Sequence, residues 1–470
     1  MRRVHLAELR DSWTAWLGVS LAFIAVNAAL VLTVVIGYTG LAAVADGRLS
    51  LETSASWTIG QALVLGCVLL VAIPVVGSST SLVVGSRRGS LARLALVGAT
   101  PSQVRGTVAS QLAVVSLLCA PLGDLIAVLA MRPWLALMDY SARNEPGWVA
   151  LEPNYALAPI VASNLVCAAL VVLAGHRQAT SASEIPPLEA LRQAQAPSQR
   201  ARLGAGRWIL ALCIAALVAA SFISVPIQLE HRYKETVSNL MVLGFFQVFI
   251  WGALLAVVAP VLVGPVTRLW TRLVPTRSPA WLIARATVAA RVDRLYKSVV
   301  PVMFTFAIGI GSLTVVDSMI ATIAVSMGRL ELALPMWDTF VLQFGLPLVI
   351  AFAGSVGSLL MMGKQRDAEL ALAGISGATP AQRVAIPTLE AVIITVTGAL
   401  LSAVVIVPSL IFQAYSLSAA GLTYTLTMSA PLVLAALLGG VVITGLATVA
   451  PTLSAQRLPE PRVIARLVAE

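Results

Sequence analysis

What most restricts this chain is a succession of apolar stretches, each long enough to cross a bilayer as a helix. About 20 apolar residues span the roughly 30 Å hydrocarbon layer. Ten stretches approach or exceed that length, at roughly 14–36, 59–84, 106–131, 155–175, 207–225, 241–266, 298–318, 339–363, 384–408 and 428–450. The third and ninth have semi-polar first turns and can begin several residues earlier. With 59% hydrophobic and 11% charged residues, and a mean hydropathy of +0.91, an ordinary soluble domain is excluded. The expected fold is an all-α polytopic membrane protein of about ten transmembrane helices. The run after Arg2, Arg3 and Arg10 exceeds a signal-peptide core and lacks a clear cleavage site, so it reads as an uncleaved first span.

The net charge of +10 does not point to nucleic acid, because the basic residues fall in short loops between spans, where they set orientation. With the N-terminus inside, 25 of the 31 Lys and Arg residues lie on the inner side. Both termini are therefore expected in the cytoplasm. A composition rich in Ala, Val, Leu and Arg with few Lys suggests a high-GC bacterium, hence a multi-pass protein of the bacterial plasma membrane. The outer loops, about 37–58, 132–154, 226–240, 319–338 and 409–427, are too short to fold as domains. Two carry tryptophan, Trp134 with Trp148 and Trp337, placed to anchor at the interface or to cover an outward-facing cavity. Cys67, Cys119, Cys167 and Cys213 lie inside apolar runs and read as buried small hydrophobes. No metal-ligand spacing, paired carboxylates or nucleophile motif is visible.

One stretch occurs twice. Arg87-Arg88-Gly89-Ser90-Leu91-Ala92-Arg93-Leu94-Ala95-Leu96-Val97-Gly98-Ala99-Thr100-Pro101-Ser102-Gln103 aligns with Arg366 to Gln382 when Gly98 is laid on Gly377. Arg87, Leu91, Ala92, Gly98-Ala99-Thr100-Pro101 and Gln103 then meet identical residues. Each copy reads as a short charged helix, a glycine that ends it, a threonine that caps the next helix and a proline in its first turn. Each lies between two spans on the inner side. Gln111 and Glu390 occupy equivalent places after the break, and both repeats end, after their last span, in a polar tail. The chain divides into a first four-span repeat over 1–192, a two-span insert over 193–277 and a second repeat over 278–470. An even number of intervening spans gives the repeats the same orientation and a pseudo-two-fold axis along the membrane normal.

Between the insert and span seven, Trp281, Val288, Val292 and Leu295 recur at helical spacing with Arg285, Arg291 and Arg294 between them, which suits a helix on the inner membrane surface. Ionisable groups inside spans are costly and often functional. Asp124, Asp317 and Glu390 are such groups, with Gln111 the uncharged counterpart of Glu390. Asp124 lies deepest, near Pro121 and Gly123, and suits either a substrate path or helix packing. Gly309-Ile310-Gly311, Gly354 to Gly357 and Gly439-Gly440 are placed to let helices approach closely.

The Arg/Glu helix, the Gly-Ala-Thr break with Gln three residues after Thr, and the Pro187-Leu188-Glu189-Ala190-Leu191-Arg192 tail resemble the FtsX-like, MacB-type permeases of ABC transporters. The ten-span arrangement is similar to BceB-like peptide-resistance permeases, without their large extracellular domain. The resemblance covers both repeats. It implies a permease subunit that exports or extracts a hydrophobic or amphipathic molecule, such as an antimicrobial peptide, a lipid or a drug. It further implies two copies of a separate cytoplasmic ATPase. Arg87, Arg88, Leu91, Leu94, Gly98, Ala99, Thr100, Pro101 and Gln103 would touch one. Arg366, Glu369, Leu370, Ala373, Gly377, Ala378, Thr379, Pro380 and Gln382 would touch the other. The chain carries no phosphate-binding Gly-Lys-Ser or Gly-Lys-Thr loop, so ATP and Mg would sit on the partner and this chain would be no enzyme. The alternative is a mechanotransmitting membrane protein that signals to a sensor kinase or cell-wall hydrolase. The first copy departs from the family at Ser90 and Gln111, where the second has Glu369 and Glu390.

Overall fold

The computed structural model describes residues 13–48, 51–86, 91, 96, 98–143, 148–183, 203–230, 236–275, 278–290, 292–328, 337–375, 377–428, 430–431, 433–435 and 437–442, and among these it is helical almost throughout. The helices are α1 (Trp13–Ala45), α2 (Leu51–Ser86), α3 (Pro101–Ala142), α4 (Leu157–Ser183), α5 (Ala205–Glu230) and α6 (Thr236–Leu273). They continue with α7 (Pro279–Ala290), α8 (Val292–Phe306), α9 (Leu313–Ser326), α10 (Trp337–Ile375) and α11 (Pro380–Ala419). A six-residue π-helical turn, Ala307–Ser312, joins α8 to α9 within one span.

Among the described residues, nine helices are long and apolar enough to cross a membrane, which gives the chain the character of a polytopic membrane protein. They match the first nine expected spans. The tenth, 428–450, lies largely outside the described residues; a short apolar helix over Val433–Val442 is the part seen. The third and ninth spans do begin earlier, at Pro101 and Pro380. The charged stretch before Gly377 is not a separate short helix. It continues α10 without a break, because its Ala, Leu and Glu residues are good helix formers and nothing interrupts them before Gly374.

α1 packs against α2, α3 and α4, and α3 against α4, making one bundle. α8 packs against α10 and α11, with α6 laid on α11 and α8, and α5 on α6. The two groups meet where α10 crosses α1 and α2 and where α8 meets α2. Lipid offers apolar helices no hydrophobic reason to associate, so small residues that admit close packing decide where they cross. Gly18 of α1 and Gly357 of α10 lie backbone to backbone, each Cα facing the other's carbonyl oxygen. A Cβ on Gly123 would stand 2.8 Å from the Asn27 side chain, and one on Gly398 2.7 Å from Val302. Of the expected close approaches, Gly311, Gly354, Gly357 and Gly440 are such contacts, while Gly309 has ordinary room and Gly439 is open.

Two expectations are corrected here. Cys67, Cys119 and Cys167 are buried, but Cys213 is exposed, because α5 touches the rest of the protein along a narrow face. The apolar face of α7 (Ala280, Trp281, Ala284, Val288) is buried against protein and not against lipid, with Trp281 edge-on to Trp270 of α6 and α11 beneath it. Its other flank, Leu282 and Ile283, is exposed. Trp148 is tied to the bundle: its ring lies 5.7 Å from that of Trp57, and its indole N–H donates to Asp139 at 3.1 Å. Trp134 is half-buried beside Gly345, while Trp337 is exposed.

Candidate functional site

The duplicated stretch forms two elbows with the same geometry. Gly98 and Gly377 take φ values of +99° and +91°, in the left-handed region where a side chain is strained. Ala99 and Ala378 follow, half-buried. Thr100 and Thr379 are then extended N-caps at φ −71°, ψ 155° and φ −67°, ψ 155°. The Thr100 hydroxyl accepts the Gln103 backbone N–H at 3.3 Å, and the Gln103 side-chain oxygen accepts the Thr100 N–H at 2.9 Å. In the second elbow the same two bonds, between Thr379 and Gln382, measure 3.3 Å and 3.0 Å. This is a capping box, which satisfies two helix-end N–H groups reciprocally. Pro101 and Pro380 occupy the first turn, where their missing N–H costs nothing.

The glutamines therefore have a local task in addition to any contact with a partner. Gly98, Thr100, Pro101 and Gln103 are exposed, as are Gly377, Thr379 and Pro380, whereas Leu91 is buried. Arg87, Arg88 and Leu94 lie outside the described residues. Arg366, Glu369, Leu370 and Ala373 belong to α10, and their side chains lie outside the description. Thr100→Ala or Thr379→Ala is expected to cost about 1 kcal/mol, roughly twice that together, and Thr→Ser much less. Denaturation of the purified protein measures this.

The intramembrane candidates separate. Asp124 is the centre of a three-helix tie. Asn27 of α1 donates to one carboxylate oxygen and Asn164 of α4 to the other, both at 2.9 Å. The Asn27 amide also donates to the Ala120 carbonyl at 3.2 Å. Asp124 thus serves helix packing, and the two asparagines escaped the sequence reading because a lone Asn in an apolar run carries no periodic signal. Gln111 and Glu390 are both buried, at 3% and 4% exposure, one on each post-elbow helix. Asp317 is half-buried on α9. These groups do not gather into one constellation.

A second matched pair lies in α1 and α9. The Thr39 hydroxyl accepts the Asn154 N–H at 3.3 Å, in the extended lead into α4. The Ser318 hydroxyl accepts the Thr427 N–H at 3.1 Å, in the extended segment after α11. Thr39 and Ser318 stand as many residues apart as Gly98 and Gly377. In that segment, burial pushes the Tyr424 hydroxyl above its usual pKa, against an opposing hydrogen bond with Ser318.

No family model matches the chain, and no curated protein matches it.

Proposed function

We propose that this chain is the membrane subunit of an ATP-binding-cassette transporter of the FtsX-like, MacB type, built as two parallel four-span repeats around a two-span insert. The observation that carries the reading is the pair of exposed elbows with one capping geometry, each joining two membrane-length helices. A passive loop has no need to be fixed twice in the same way. The repeat reading gains support from Thr39 and Ser318, which hold equivalent extended segments, and from buried Gln111 and Glu390 at one interval.

In this reading the protein sits in a bacterial plasma membrane with both termini and both elbows in the cytoplasm. Each elbow docks one copy of a separate ATPase, which binds ATP and Mg. Closure of the ATPases pushes both elbows and moves one bundle against the other. The cargo is a hydrophobic or amphipathic molecule taken from or through the bilayer.

Cysteines placed at Ser102 and Ala381, both exposed, test this in native membranes. Each is expected to cross-link to the ATPase that co-purifies with the chain. Gly377→Val, which forces a β-branched residue into the left-handed region, is expected to cut chain-stimulated ATP hydrolysis about tenfold, the equivalent of roughly 1.4 kcal/mol of coupling. Absence of a co-purifying ATPase, or elbows that fail to cross-link to it, overturns the assignment.

A further inference from the structure

A serine or threonine buried inside a helix normally gives its hydroxyl hydrogen to the carbonyl four residues back. Thr267, Thr314, Thr395 and Ser409 do so here, at 2.7, 2.8, 2.9 and 2.8 Å. Among the described residues, Ser79 in α2 and Ser312 depart from this. Ser312 closes the π turn, is fully buried, and its hydroxyl makes no hydrogen bond. Thr33 in α1 stands at the same interval from Ser312 as Gly98 from Gly377. α1 is α-helical there, and the Thr33 hydroxyl donates to the Ala29 carbonyl at 2.8 Å. The π turn spans Ser312 and its ordinary acceptor, the Ile308 carbonyl.

The turn is closely packed on one side and less so on the other. Gly309 has only ordinary contact with Leu348 of α10, at 3.7 Å for an added Cβ. A Cβ added at Gly311 would stand 2.8 Å from Ile406 of α11, so that side of the turn is closely packed. The two arms of the span are also attached differently. α8 packs among α2, α6, α10 and α11. α9 is tied to the segment 422–428: Ser318 bonds Thr427, and Thr322 accepts the Thr425 N–H at 3.0 Å.

We propose that the π turn is a two-state joint in this span. In the second state residues 309–312 return to α-helical register, Ser312 donates to the Ile308 carbonyl, and the extra residue passes on into α9. α9 and the attached segment 422–428 then re-aim relative to α8, while α1 has no such joint. Single π turns inside α-helices recur at functional sites. The inference is independent of the transporter reading, and its test requires no ATPase.

The test is hydrogen exchange by mass spectrometry on the full chain in lipid nanodiscs. The amides of 307–316 are expected to exchange about tenfold faster than those of 28–37 in α1. Deletion of Gly309 removes the extra residue and is expected to slow 307–316 to the α1 rate. Ser312→Ala withdraws the bond that the second state gains, so it is expected to slow exchange of 307–316 several-fold while leaving 28–37 unchanged. Equal protection of the two segments in the unaltered protein overturns the proposal. So does an unchanged exchange profile in Ser312→Ala, which decides the matter should the deletion fail to fold.

Discussion

Gly357→Ala is expected to cost about 2–3 kcal/mol and to lower the thermal midpoint of the purified protein markedly, because the new methyl would overlap the Gly18 carbonyl oxygen. A side chain can rotate away from an intruder; a backbone carbonyl inside α1 cannot without bending the helix. Gly18→Ala meets the reciprocal obstacle, the Gly357 carbonyl, and the Met361 side chain. Both variants loosen the crossing of α10 on α1. Gly66 in α2 provides the control, since an added Cβ there meets nothing within 4 Å. Gly66→Ala is expected to be neutral or to stabilise by about 0.5–1 kcal/mol through helix propensity alone. Fluorescence-detected gel filtration after heating ranks the three variants, and equal midpoints for Gly357→Ala and Gly66→Ala would remove the basis for the close crossing.

The second large effect concerns the Asp124 tie. Asn27→Leu combined with Asn164→Leu strips both amide donors from a carboxylate inside the bilayer. A charged group at a helix centre costs about 2.5–3.5 kcal/mol on insertion scales, so a loss of about 3 kcal/mol is expected. Asp124→Leu alone removes the shared acceptor, leaves the Asn164 amide unpaired, and is expected to cost about 2 kcal/mol. The triple leucine variant should regain most of the loss, because removing every polar partner leaves no unmet hydrogen bond. Thermal midpoints in one detergent give the cycle. Additive losses, with the triple variant the weakest, would mean that the three side chains do not act as a unit.

Much of this architecture can be read from residues, and the reasons for the remainder are physical. Hydropathy marks the spans because each must satisfy its backbone within hydrocarbon, a requirement every helix meets in the same way. It does not mark where a helix stops after leaving the apolar layer, so the continuation of α10 through its charged stretch reads as a separate element. The Thr-x-x-Gln spacing at Thr100 and Thr379 is itself a capping signature. Gln103 and Gln382 nevertheless read as partner contacts when duplication is weighed before local hydrogen bonding. The Asp124 tie and the burial of α7 depend on which helices become neighbours, which periodicity does not encode. The π turn is equally silent, since Gly309-Ile310-Gly311 is compatible with tight α-helical packing.

α10 is a helix of 39 residues, about 58 Å at 1.5 Å per residue, with Pro347 inside it. Gly357, its crossing point with α1, lies near the middle of that helix. Pro347 lies between that crossing and Trp337, and it takes the helical donor from the Gln343 carbonyl. The two halves therefore differ in stiffness: the Trp337 half carries a proline, at which helices kink, and the half toward Ile375 carries none.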